Sequence, residues 1–233
     1  MNNIEIMMYT KEAENSIDTI LNRLQELTTI ISLTNGNVDW YLPGDSKEDA
    51  MKKKVISNGM LTTEAKQLLT EHVKEDFPGV IVRIWNERDD SILIQNYIQG
   101  NLDLYVYTIE YQYVSEHEAM NFSSKVMIKL IDSINPHIVQ LETNDYSLHQ
   151  SKVFPDRLPV GWMFYIDKSY DEKTLNLPKQ MHTIKRDGQP VGTLFVTKRD
   201  FFDGSSKADI TLSNDLEIAL VAHEVLPTYK KIF

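Results

Sequence analysis

Apolar positions along the chain recur with two periods, and the switches between them outline the fold. Residues 3–9 read as a first strand. Helical spacing then takes over at Ala13, Ile17, Ile20, Leu21, Leu24, Leu27, Thr28 and Ile31, and Asn35-Gly36-Asn37 ends that stretch as a turn. Trp40-Tyr41-Leu42-Pro43-Gly44 reads as a loop leading to Ser46, an N-cap with Asp49 three residues on, and a short helix through Ala50 and Met51. A second helix near 63–75 carries Ala65, Leu68, Leu69 and Val73 and stops at Phe77-Pro78-Gly79.

Three strands follow. Val80–Trp85 and Ile92–Ile98 flank the turn-forming Arg88-Asp89-Asp90-Ser91 as a hairpin, and Leu102–Tyr113 comes after Gly100-Asn101. Ser115-Glu116-His117-Glu118 is a capping box, and it opens a helix through Val126, Met127, Leu130, Ile131 and Ile134 that closes at Asn135-Pro136. His137–Glu142 is a further strand. The region 146–190 is irregular and holds four of the eight prolines, with one clear strand at Trp162–Ile166. Val191–Thr197 is the last strand, and Ser213 caps a final helix through Leu216, Ala219, Leu220 and Val225, ended by Leu226-Pro227. There is no regular βαβ alternation, no repeat and no low-complexity linker. The pattern predicts an α+β fold, an antiparallel or mixed β-sheet with helices packed on it, in a single domain over 1–233.

Composition narrows the chemistry. With 42% hydrophobic residues in 233, the chain has the material for a sizeable core. It has no cysteine, which removes disulfides, thiolate metal sites and cysteine nucleophiles and suits a reducing cytoplasm. The first ten residues lack the basic and apolar regions of a signal peptide, and no apolar run reaches the ~20 residues of a membrane helix. A cytoplasmic protein without membrane partners is therefore expected. The net charge of −10 argues against direct nucleic-acid binding, since carboxylates repel phosphates. It serves solubility or, alternatively, a basic protein partner.

Catalytic motifs are sparse. His117-Glu118 and His223-Glu224 begin like zincin motifs, but neither has a second histidine four residues after the first. No nucleophile elbow, P-loop or dinucleotide fingerprint is present. Pro155-Asp156 with Asp171-Glu172-Lys173 formally matches the PD-(D/E)xK pattern of metal-dependent nucleases. That chemistry needs Asp171 and Lys173 on a strand, whereas their surroundings read as an exposed loop. The expectation is a protein that is not an enzyme and uses no cofactor and no metal.

Charge is concentrated in one segment. Residues 64–118 hold 11 acidic against 4 basic residues, a net of −7, and five of the eleven tyrosines: Tyr97, Tyr105, Tyr107, Tyr111 and Tyr113. Period-2 geometry puts Asp103, Tyr105, Tyr107, Ile109, Tyr111 and Tyr113 on one face of the third strand. Either helices cover that face and only hydroxyls reach water, or part of it, with an acidic rim, meets a basic partner. On the second reading the contact residues are Glu87, Asp89, Asp90, Asp103, Tyr105 and Tyr107.

Several stretches taken together resemble a known family. Trp40-Tyr41-Leu42-Pro43-Gly44-Asp45-Ser46 followed by Glu48-Asp49-Ala50 resembles the tryptophan-to-glycine, serine, acidic-alanine stretch of the immunity protein 52 family. Gly161-Trp162-Met163-Phe164-Tyr165 resembles its second tryptophan strand. Gly192-Thr193-Leu194-Phe195-Val196-Thr197 and the terminal helix ending in Leu226-Pro227 resemble its C-terminal part. The resemblance runs from about residue 4 to residue 229, but residues 60–150 carry none of its motifs. It implies a bacterial α+β protein that binds a cognate nuclease toxin of restriction-endonuclease-like fold and inhibits it stoichiometrically. The other readings are a cytoplasmic protein-binding adaptor unrelated to toxins and the PD-(D/E)xK hydrolase. Trp40 and Trp162 themselves read as packing anchors.

Overall fold

The computed structural model describes residues 2–96, 102–149, 153–177 and 180–232. Its first strand, β1 (Asn3–Lys11), is followed by α1 (Ile17–Asn35), which opens where the Ser16 hydroxyl accepts from the backbone of Thr19 at 3.2 Å. That cap starts the helix beyond Ala13. Next come β2 (Trp40–Tyr41), α2 (Lys47–Met51), β3 (Lys54–Ser57), β4 (Met60–Leu61), α3 (Ala65–Val73), β5 (Ile81–Trp85), β6 (Ser91–Gln95) and β7 (Leu104–Gln112). The remainder holds α4 (Glu116–Ile134), β8 (Ile138–Thr143), α5 (Tyr146–His149), β9 (Met163–Ile166) and α6 (Glu172–Leu175). Then follow β10 (Met181–Arg186), β11 (Gln189–Val196), α7 (Lys207–Ala222) and α8 (Tyr229–Ile232). The fold class is α+β, with antiparallel strands and helices packed on them.

By its internal contacts the chain divides into two compact units. Unit I comprises Thr10–Gln112 and Asn121–Asn135; unit II comprises the residues up to Tyr9, Tyr113–Met120 and everything from Pro136 onward. In unit I the strand order is β7-β6-β5-β2-β3-β4. Registers Val82↔Ile94↔Tyr107 and Ile84↔Ile92↔Ile109 align six side chains on one face, every one fully buried. Ile20, Leu21, Leu24, Leu27 and Ile31 of α1 form the apolar stripe of a helix packed beside α3 and β6. Each such side chain contributes roughly 1.5–3 kcal/mol by leaving water. The segment read as a loop at Trp40-Tyr41 is a short strand, paired to β3 and, through Tyr41↔Trp85, to β5. Trp40 is only 1% exposed, a packing anchor.

In unit II the order is β10-β11-β9-β8-β1. All six residues of β8 are buried, the mark of a central strand covered on both faces. Strand β10 lies inside the stretch read as irregular. Its hairpin turns at Asp187-Gly188, both at positive φ (50° and 79°), and Asn58-Gly59 makes the same kind of turn between β3 and β4. Helix α7 begins at Lys207, so Ser213 is not its cap but an interior residue, fully buried. At α4 the Ser115 half of the capping box is present, with Glu118 N donating to Ser115 Oγ at 3.2 Å, while the Glu118 carboxylate reaches one residue further back and accepts from Val114 N at 3.0 Å. The expected strand end at Ile98, with Tyr97, lies outside the described residues.

Backbone approach is closest at Gly204, where a Cβ would stand 1.9 Å from the carbonyl oxygen of Thr143. Gly204 N also donates to Thr143 Oγ1 at 3.1 Å, and that hydroxyl donates onward to Phe202 O at 2.5 Å. Gly204→Ala is expected to destabilise the protein by about 2 to 3 kcal/mol in urea unfolding, because a backbone oxygen cannot swing away.

Candidate functional site

Of the two alternatives for the tyrosine face, the structure shows the covered one. Tyr105 is 1% and Tyr107 0% exposed. The Tyr107 hydroxyl donates to the Glu12 carboxylate, which also receives Arg23 Nε at 2.8 Å, while Arg23 Nη1 reaches Glu26 at 2.7 Å. Tyr105 donates to Asn15 Oδ1 at 2.7 Å. Burial pushes the Tyr105 hydroxyl up to about 12, and burial together with the Glu12 carboxylate pushes Tyr107 higher still. Tyr111 stacks on Phe122 of α4 with ring centroids 3.7 Å apart and planes at 13°. These rings anchor helices and present no accessible contact surface.

Asp90 is also interior, at 1% exposure. Its carboxylate accepts from Asn86 Nδ2 at 2.9 Å and from Gln112 N at 2.9 Å, tying the β5–β6 turn to β7. Glu87 and Asp89, by contrast, are exposed at the tip of that turn, Asp89 with φ of 63°. Asp103 is exposed too, but the registers Trp85↔Ser91↔Glu110 and Ile81↔Gln95↔Val106 place it at the opposite end of the strands. The six nominated residues therefore do not converge: one pair at the tip, one acid at the far end, three inside. Sequence reading passed over Glu75 and Asp76, exposed before β5. Asn96 Nδ2 ties that turn to the approach of β7, donating to Pro78 O and Leu102 O, each at 3.1 Å.

The nuclease-like pattern lacks its strand. Asp171 is the N-cap of α6, accepting from Lys173 N at 3.4 Å and Thr174 Oγ1 at 3.0 Å, and Lys173 lies on the helix itself. Asp156 pairs with the adjacent Arg157 at 3.9 Å. Among the described residues no group of three or more His, Asp or Glu side chains is placed to hold a metal ion, and no helix is long and apolar enough to cross a membrane.

Unit II contains a buried acid cluster that the sequence reading missed. Glu217 Oε1 accepts from Val160 N at 2.9 Å and lies 3.2 Å from the Tyr146 hydroxyl, itself 2.9 Å from Ser213 Oγ. Glu142 accepts from Ser147 N at 3.1 Å, Ser147 Oγ at 2.5 Å and Gln140 Nε2 at 3.1 Å. Burial pushes both carboxylates above the usual range, and these hydrogen bonds bring them back only in part. The available signal was Asp209, Ser213 and Glu217 at helical spacing in a helix otherwise rich in apolar residues. The network is closed upon itself, which suits a structural role.

Comparison with known proteins gives likeness at the level of structure. No family model matches the chain, and no curated protein does. A T6SS protein of Pseudomonas aeruginosa, PA0821, matches over 95% of this chain and 76% of its own with a TM-score of 0.56. At 11% identity, the two share a fold. The Trypanosoma brucei AdoMetDC-delta26 monomer, 8% identical over 83% of this chain and 62% of its own, reaches a TM-score of 0.23 and carries no argument.

Two outcomes follow from this geometry. Asp90→Ala should cost about 2 kcal/mol of stability by orphaning Gln112 N and Asn86, whereas Asp89→Asn should stay within about 0.5 kcal/mol; chemical denaturation of the pair checks both. Glu217 is raised above its ordinary 4.5, so its protonated form favours the folded state, and stability from it is lost as pH rises from 4.5 through the folded value. Glu217→Gln should flatten that loss, read as the difference between wild-type and variant melting temperatures from pH 4 to pH 8. Parallel profiles would show that Glu217 titrates normally.

Proposed function

We propose that this chain is an immunity protein that binds a cognate bacterial nuclease toxin and neutralises it by stoichiometric inhibition. The observation that carries the reading is the fold shared with a T6SS protein over 95% of this chain. A secretion-system setting is one in which the producer of a toxin needs a partner that disarms it at home.

The finer assignment, to the immunity protein 52 family, rests on the motifs, and their places in the fold support it. Gly44 packs where a Cβ would lie 2.5 Å from Ala50 N, which accounts for the glycine of the first motif. Gly161, at φ of 64°, sits 2.9 Å by the same measure from Leu141 O, and Gly192 sits 2.4 Å from the Tyr165 hydroxyl. Trp162 is 1% exposed and donates from Nε1 to Lys198 O at 2.9 Å. The motif residues on this reading hold the fold and leave partner contact to the surface between them. On this reading the chain does no chemistry, uses no cofactor or metal, acts in the cytoplasm, and meets a basic, phosphate-binding surface with its carboxylates.

Co-expression with the nuclease encoded beside the gene provides the test. Host survival and a stable one-to-one complex on gel filtration are expected. Cell death with no complex would sink the reading and leave an adaptor for some other protein.

A further inference from the structure

The outer face of the unit I sheet carries an apolar strip bounded by acid at both ends. Along β5, Val82 and Ile84 are fully buried, while Ile81 is 54% exposed, Arg83 is exposed and Trp85 is half-buried. Registers Ile81↔Gln95, Arg83↔Leu93 and Trp85↔Ser91 add half-buried Leu93 and Gln95 to the same face. Val106 and Thr108, which continue it on β7, are buried, so the open area is confined to β5 and β6. The Trp85 ring lies 5.6 Å from that of Tyr41, over which Lys54 Nζ sits at 5.6 Å. Both cations within the face have carboxylate partners of their own: Arg83 with Glu110 at 3.2 Å, and Lys54 with Asp39 at 2.6 Å.

Beyond each end of β5 the chain turns through exposed residues in which acids outnumber cations. Glu75 and Asp76 follow Lys74 ahead of the strand, with Phe77 46% exposed beside them, and Glu87 and Asp89 flank Arg88 after it. Five residues of strand set these ends roughly 17 Å apart.

We infer that this strip is the docking surface for a basic protein, and the inference rests on the function proposed above. Ile81, Trp85 and Leu93 provide the apolar anchors, with a tryptophan and an arginine among the side chains that dominate interface energetics. The carboxylates at both ends pair with lysines or arginines of the partner and steer its approach. A phosphate backbone is repelled by the same ends. A second copy of this chain is disfavoured as well, since a two-fold axis in the interface sets acid against acid whether it runs along the strands or across them. Charge therefore selects a basic protein.

The experiment measures binding of the nuclease encoded beside the gene to the full chain and three variants. Leu93→Lys is expected to weaken the complex about 100-fold by placing a cation in the apolar centre. The double neutralisation Glu87→Gln with Asp89→Asn is expected to slow association about tenfold at low salt and to flatten its salt dependence. Asparagine tolerates the left-handed backbone at position 89, so this second variant decides the matter if Leu93→Lys melts early. Ile218→Lys, on the exposed side of α7 in unit II, should bind like the wild type. A wild-type complex that neither strip variant disturbs, or one lost in Ile218→Lys instead, overturns the docking surface alone. No wild-type complex overturns it together with the immunity reading, because the partner named is that nuclease.

Discussion

A phenol carried into the middle of a sheet must find a hydrogen-bond partner there, and much of unit I is arranged around that requirement. Tyr105 and Tyr107 sit on a buried strand face, and their hydroxyls are answered by Asn15 and Glu12 from the short segment ahead of α1. The same segment supplies Ser16, which caps the helix. Glu12 in turn needs a cation, because an unpaired carboxylate in such a place costs several kcal/mol. Arg23 meets it from α1 itself. Where α1 begins, how it lies and which face of β7 it covers are thus one decision, fixed by polar contacts and consolidated by leucine and isoleucine packing.

The elements that repeat their pattern over many residues were legible in the sequence; those defined by two or three residues were not. Period-2 alternation revealed β7, and helical spacing revealed α1 and α4. The hairpins at Asn58-Gly59 and Asp187-Gly188 were signalled only by a dipeptide, and the surrounding prolines and short strands hid it. Alternation also names a face without saying what covers it. Tyr105 and Tyr107 read as a face for helices or for a partner, and only the position of Glu12, ninety-odd residues earlier in the chain, decides between them. Asp90 shows the same limit from the other side. Its neighbour Asp89 is exposed, and nothing in the pair Asp-Asp tells which carboxylate turns inward to Gln112.

Acidity has more than one use in this chain. Some carboxylates are structural, held by Arg23, Lys54 or Lys198 at 3.0 Å or less. Others are buried and closed into hydrogen-bond networks, where their charge is a liability rather than a signal. The remainder are exposed, and those at the ends of β5 and the start of β7 are only some of them. Net charge alone merges these three populations, which is why the concentration of acid in residues 64–118 picked out a mixed set of residues, Asp90 buried beside exposed Asp89.

Helix α7 illustrates a different kind of specification. Its inward stripe of Asp209, Ser213 and Glu217 is polar, and its outward side carries Leu212 at 45% and Ile218 at 50% exposure. Greasy side chains around the whole circumference would let such a cylinder roll about its own axis with little change in buried area. The hydrogen bonds to Asp203 N, Val160 N and Tyr146 remove that freedom, working like the teeth of a key that admits one angular setting.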